Sequence, residues 1–345
     1  MEVNCEGCAG CCLNWRPFHD AETDGTARRH RRARLDTDGD ADAVGSRAPL
    51  DDDTNFVALT RDEVRGFLEA GMAPALTPRF WRARDAGESV EIDGYSVAAV
   101  AGRPVFFVGL RKPPKPVDPF DREEPAWLPA CVFLDPETLQ CRIHGDEQFP
   151  DECGSYPAHN LALEQETECE RVEAAFEGQR LIEDDAPAAL DGLLLGTQAL
   201  GAKLFAHPRP ETLEGVIDRT ATGELTSEDR AECLAVAAAS SPGTLVTSDY
   251  HYEWGKARAL ETASADGNPA EESGDKRSSA DGSDDKRSSA DEVDESRAES
   301  WVGPAIREWE RRRRDADGTV PSPAVAADVE TTRGAPETPG WDALE

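Results

Sequence analysis

Cys5-Glu6-Gly7-Cys8-Ala9-Gly10-Cys11-Cys12 places four thiols within eight residues near the start of the chain. A C-x-x-C step lets two thiolates converge on one ion while the intervening amides turn toward the sulfurs; two such steps overlap here and end in a vicinal pair. In extended backbone, adjacent side chains point to opposite sides, so Cys11 and Cys12 are expected to face different ways. The stretch therefore predicts either two neighbouring metal centres or one cluster with a spare thiol.

A second set of thiols follows far downstream: Cys131, Cys141, Cys153 and Cys169. Eight sulfurs divide into two sets of four, which suits two tetrathiolate zinc sites or two [4Fe-4S] clusters, and spacing alone does not choose between zinc and iron. A disulfide framework is the rival reading. The opening Met1-Glu2-Val3-Asn4 has no basic start and no apolar run, so no secretory leader is expected, and the expected compartment is the cytoplasm, where thiols stay reduced. The ninth cysteine, Cys233, leaves an odd count and lies in Glu232-Cys233-Leu234-Ala235-Val236, where packing in an alanine-rich helix is expected. A structural zinc site contributes about 10–16 kcal/mol of apparent binding energy, comparable to the whole stability of a domain, so this region is expected to depend on its ion for its fold. Closing the long loop from position 5 to position 153 costs entropy that grows only with the logarithm of length.

The flanking residues carry a further pattern. Leu59-Thr60-Arg61-Asp62-Glu63 opens a helix, with Thr60 and Glu63 as a capping box and Leu59 with Val64 as a hydrophobic staple. Then come Pro129-Ala130-Cys131-Val132-Phe133-Leu134, Cys141-Arg142-Ile143-His144 and Pro150-Asp151-Glu152-Cys153-Gly154-Ser155-Tyr156-Pro157. Over roughly the first half of the chain this order resembles the YkgJ-type cysteine-cluster family, described as a zinc- or iron-chelating domain. The resemblance implies metal binding by these thiols; His144, close after Cys141, is expected to donate to a sulfur, with direct ligation as the alternative, and Tyr156 and Pro157 are expected to pack beside the cluster. Three positions depart from the family's pattern. Ala9 stands where glycine usually follows the second thiol, Phe149 replaces an arginine before Pro150, and Gly154 replaces an arginine after Cys153.

Composition limits the remaining function classes. Of 345 residues, 70 are acidic and 37 basic, for a net charge of -33, and every basic residue except Lys112, Lys115, Lys203, Lys256, Lys276 and Lys286 is arginine. Such a chain suits molar salt, where a Debye length of about 3 Å screens self-repulsion, and a halophilic setting is expected. The same charge argues against binding to nucleic acid or an anionic membrane surface. The most apolar stretch, from Pro187 to Ala206, is broken by Asp191, Gln198 and Lys203 and does not read as a membrane span.

An α+β architecture is predicted: a small metal-centred cysteine-cluster domain of short strands and helices over 1–182, with a polar insertion at 19–53. Within it, 56–59 and 105–108 read as strands, 89–100 as a hairpin turning at Asp93-Gly94, and prolines punctuate 113–129. Helices are expected over 183–264, including 189–205, 210–219 and 227–239. Residues 265–300 repeat Asp-Lys-Arg-Ser-Ser-Ala-Asp at 275–281 and 285–291 and read as a disordered linker. A short amphipathic helix over 301–314, ending in Arg311 to Arg314, is expected to fold back onto the body, and 315–345 is expected to be a mobile tail.

No nucleophile–base pairing, G-x-G-x-x-G or G-K-[ST] motif is present, so no catalytic or nucleotide-binding residue is assigned. Two classes of function follow. One is a protein that holds zinc or iron through thiolates and presents the centre to a protein partner. The other is an iron–sulfur enzyme, such as the S-adenosylmethionine-dependent flagellin lysine methylases whose cysteine cluster looks similar, or an electron-transfer protein.

Overall fold

The computed structural model describes residues 3–18, 48–183, 199–264 and 300–340. Most of the polar insertion (19–47), much of the leucine-rich stretch (184–198), the repeat-bearing linker (265–299) and 341–345 lie outside the described residues.

The fold is α+β. The capping box forms as the sequence predicts: Thr60 Oγ1 accepts from the Glu63 amide, and Glu63 Oε2 accepts from the Thr60 amide at 2.6 Å, opening α1 (Arg61–Glu69). Val64, Phe67 and Leu68 form its buried face. β1 (Leu76–Phe80) pairs with β4 (Arg103–Leu110), which pairs in turn with β3 (Tyr95–Val100), and β2 (Ser89–Ile92) closes the antiparallel order β1-β4-β3-β2. The β2–β3 turn is at Asp93-Gly94, both with positive φ (52° and 79°), the geometry whose twist matches a tight hairpin.

The stretch 56–59 does not form the expected strand; only Ala58 bridges, to Gly109 on β4. The crossing is close because residue 109 has no side chain: a Cβ there would meet the Phe56 ring at 2.5 Å. The proline-punctuated stretch contains a two-stranded ribbon, β5 (Pro114–Val117) with β6 (Ala126–Pro129). Prolines alternate in β5, leaving Lys115 and Val117 on its other face, both wholly buried.

After the ribbon come three short helices, α2 (Asp151–Ser155), α3 (Ala158–Ala162) and α4 (Glu168–Phe176). Next are α5 (Leu200–Lys203) and β7 (Phe205–Ala206), which adds to the sheet beside β4. α6 (Val216–Thr222), α7 (Ser227–Ala239) and α8 (Asp249–Ser264) complete the middle region. α7 matches the predicted 227–239 helix, and ten of its residues are buried. It packs on α1, β1 and α8, so the 183–264 helices share one hydrophobic core with the sheet instead of forming a separate layer.

α9 (Val302–Asp315) returns to that core through Val302, Ala305, Ile306 and Trp309, as its amphipathic pattern predicts. The expected mobile tail instead contains α10 (Pro323–Thr331), which buries Ala326, Ala327, Val329 and Glu330. Its apolar residues are mostly alanine and valine, a weak pattern in sequence that packing against α9 and β5 makes sufficient. Among the described residues no helix is long and apolar enough to cross a membrane.

A second, smaller core lies apart from the first. It gathers Cys8, Leu13 and Trp15 from the N-terminal segment, Val117 and Leu128 from the ribbon, Leu134 from the following loop and Val172 from α4. Cys12 and Cys131 pack against this core, and Cys131 and Cys141 against the first.

Candidate metal centre

The early thiols sit on a tightly turning loop. The Cys8 amide donates to Cys5 O at 3.1 Å, the Cys12 amide to Ala9 O at 2.8 Å, and the Gly10 amide to Cys8 Sγ at 3.4 Å. Gly7 and Ala9 both take left-handed backbone, φ 63° and 48°, so the departure from glycine at position 9 puts a Cβ where the backbone disfavours one. Gly10 passes so close to α4 that a Cβ would meet Val172 Cγ2 at 2.6 Å.

This loop joins the later thiols directly. The Asn14 amide donates to Pro129 O at 2.8 Å, Leu13 bridges Ala130, and the Cys131 amide donates to Cys12 O at 2.6 Å. Cys131 and Cys141 face one another across a small loop in which Leu134 bridges Cys141 and the Leu134 amide donates to Cys131 O. Cys153 lies on α2, whose first amide, that of Asp151, donates to Glu63 Oε1 at 2.9 Å, so one carboxylate serves the starts of α1 and α2. Cys169 lies on α4, opened by a second capping box, Thr167 with Glu170.

Glu168, beside Cys169 and almost wholly buried, ties the N-terminal segment to α4. Its carboxylate accepts from Trp15 Nε1 at 2.8 Å and pairs with Arg16 at 3.0 Å and Arg171 at 2.8 Å, while its amide donates to the Tyr156 hydroxyl. Segments that are 150 residues apart in sequence thus meet without any cross-link. The cysteines are free thiols.

The charges the thiols impose on one another outline how they group. Burial is the main cause of the raised pKa of Cys169, and Cys11, Cys5 and Cys8 add to it. Cys5 is pushed up to about 12 by burial, with Cys11 and Cys8 adding. Cys141 reaches about 12 by burial and the neighbouring Cys131, and Cys153 is raised by burial together with Cys131, Cys11 and Cys141. Cys12 is raised by its hydrogen bond with Cys11, by burial, and by Cys11, Cys131 and Cys141. Cys5 and Cys8 thus act on Cys169, Cys131 and Cys141 act on Cys153 and Cys12, and Cys11 acts on members of both groups.

Cys11 and Cys12 stand at the junction, and here the sequence expectation is corrected. Their sulfurs lie 3.9 Å apart instead of diverging, because the backbone is turning at this point and not extended. Among the described residues, no three His, Cys, Asp or Glu side chains stand as placed in a group that holds a metal ion. The eight thiols share one region without a closed coordination shell.

Cations face this region. The Cys11 thiol is held low by its hydrogen bond with Cys12, aided by Lys112, while Cys131, Cys141, Cys5 and Cys8 are raised by burial, with Lys115 acting downward on the first two and Arg180 on the last two. Sequence reasoning missed these cations, although Lys112-Pro113-Pro114-Lys115 holds two of only six lysines in an acidic chain and lies just ahead of Cys131. Other expectations are met or changed by the geometry. Cys233 is fully buried in the main core on α7. His144 is exposed, with its ring on Phe149 at 4.8 Å and no described contact to a sulfur. Phe149 lies over the bare face of Gly154, 3.5 Å from where a Cβ would be.

The fold is α+β, and its free thiols lie on the N-terminal loop, in the segment after the ribbon, on α2 and on α4, with Cys233 on α7. The chain belongs to a family of unknown function, DUF7531, whose family model matches residues 1–342. No curated protein matches it. No solved structure matches it.

Proposed function

We propose that this protein binds metal through two sets of four thiolates, Cys5, Cys8, Cys11 and Cys169 in one and Cys12, Cys131, Cys141 and Cys153 in the other, holding zinc or iron–sulfur centres. The observation that carries this reading is the convergence of eight free thiols from four separate segments, fastened by the backbone bond from Cys131 to Cys12 and faced by Lys112, Lys115 and Arg180. Lys112, Lys115 and Arg180 act toward thiolate, the form that binds metal, against the burial that raises most of these thiols. The ordered resemblance to the YkgJ-type cysteine-cluster family supports the same reading. The role that follows is to hold such a centre and present it to a protein partner, in a salt-rich cytoplasm suited to the charge of -33.

Anaerobic purification followed by metal and sulfide analysis tests the proposal. Two zinc ions per chain in colourless protein, or brown protein with equal iron and sulfide, is the expected outcome, and the two results separate zinc from iron–sulfur chemistry. Cys12→Ser is expected to lower metal content and soluble yield, whereas Cys233→Ala leaves metal content unchanged. Metal-free wild-type protein, or equal metal loss in the two variants, overturns the assignment.

A further inference from the structure

We infer that Glu330, from the C-terminal helix α10, is the positioning residue of the second thiol set, so that docking of the C-terminal helices and retention of metal there are coupled. This rests on the metal-binding reading above. Lys115 and Glu330 are both wholly buried and lie 2.9 Å apart. Lys115 Nζ donates to Val132 O at 2.8 Å and to Leu134 O at 2.6 Å, the carbonyls of the chain just after Cys131. The other Glu330 oxygen takes Arg142 Nε at 2.5 Å, and Arg142 directly follows Cys141. One carboxylate from beyond residue 300 therefore holds the residues that follow both thiols.

The surrounding contacts work in the same direction. Arg142 Nη2 pairs with Asp135 at 2.9 Å and its Nη1 donates to Pro336 O at 2.6 Å. The Gly340 amide donates to Gln140 Oε1 at 2.9 Å, and the hydroxyls of Thr138 and Thr338 lie 3.1 Å apart. Trp309 of α9 places its ring 4.4 Å from Lys115 Nζ. The loop between Cys131 and Cys141 is thus gripped by 330–340 along its length. Without the Glu330 charge, two buried cations remain with Asp135 alone, they repel, and the loop loses its hold.

The test is Glu330→Gln, which keeps the side chain's size and removes its charge. In zinc-loaded protein, release of the second ion to a chromogenic chelator is expected to be about 10- to 100-fold faster than in wild type, the range for loss of a group that orients metal ligands. Glu308→Gln, which removes ion pairs confined to α9, is expected to release zinc at the wild-type rate. Hydrogen exchange of the wild-type chain gives a reading that does not depend on the variant folding: by reciprocity of coupled equilibria, zinc slows exchange of the 323–331 amides and leaves those of α8 unchanged. A folded Glu330→Gln protein that releases zinc at the wild-type rate overturns the inference, and so does exchange in α10 that ignores zinc. Wild-type protein that takes up no metal overturns the parent reading itself, and metal analysis shows this before either measurement begins.

Discussion

Ala9 is where a single residue and the backbone disagree. Its φ of 48° lies in the left-handed region, where an L side chain with a Cβ costs about 1–2 kcal/mol. The adjoining Gly10 has no such freedom to gain a side chain, since Val172 already occupies the space beside it. Ala9→Gly is therefore expected to raise stability by about 1 kcal/mol, read as a higher denaturant midpoint at unchanged slope. A midpoint that falls or does not move refutes the strain at this position. The spacing of Cys5, Cys8, Cys11 and Cys12 was legible from sequence because a short loop fixes its own turns. The direction of Cys12 relative to Cys11 was not, because it depends on the turn closed by the Cys12 amide on Ala9 O.

At the scale of elements, α7 illustrates how helices in this chain are locked. Its Glu232 carboxylate collects Tyr252 Oη at 2.5 Å and Lys256 Nζ at 2.8 Å from α8, and His207 Nε2 lies 3.3 Å away in the segment after β7. His207 Nδ1 accepts from the Arg209 amide, which leaves the ring proton on Nε2, facing the carboxylate. Burial acts to raise the pKa of Glu232, but the hydrogen bonds from His207, Lys256 and Tyr252 outweigh it and hold the carboxyl well below the ordinary range. A depressed folded pKa means that this stabilisation is present above the unfolded value of about 4.3 and is lost as pH falls through the lower folded value. Glu232→Gln is expected to lower the melting temperature near neutral pH, and the gap to wild type is expected to shrink below about pH 4. A gap that stays constant with pH shows that the charge is not what holds α7 to α8. The hairpin at Asp93-Gly94, the α1 cap and α7 were readable because their signals are local. β5 and β6 were not: prolines read as interruptions until the ribbon pairs them edge to edge.

For the whole molecule, the charge of -33 is the dominant long-range quantity. The Debye length shrinks from about 10 Å at 0.1 M salt to about 3 Å at 1 M, so self-repulsion among surface carboxylates is screened as salt rises. The melting temperature is expected to climb with potassium chloride over that range, by about 2–4 °C for each kcal/mol of repulsion removed. A flat or falling profile removes the case for a salt-rich setting. Buried pairs such as Lys115 with Glu330 are shielded from that screening and are expected to persist throughout.

By itself the sequence determined the α+β mixture, the acidic charge and the amphipathic helix at 301–314, since each is written in residue type and short-range periodicity. Only the tertiary structure decided that Cys12 meets Cys131, that Lys112, Lys115 and Arg180 face the sulfurs, and that α10 packs instead of trailing as a tail. Those contacts join residues as much as 200 positions apart; nothing in local spacing encodes them, and they exist because burying both cores brings the segments together.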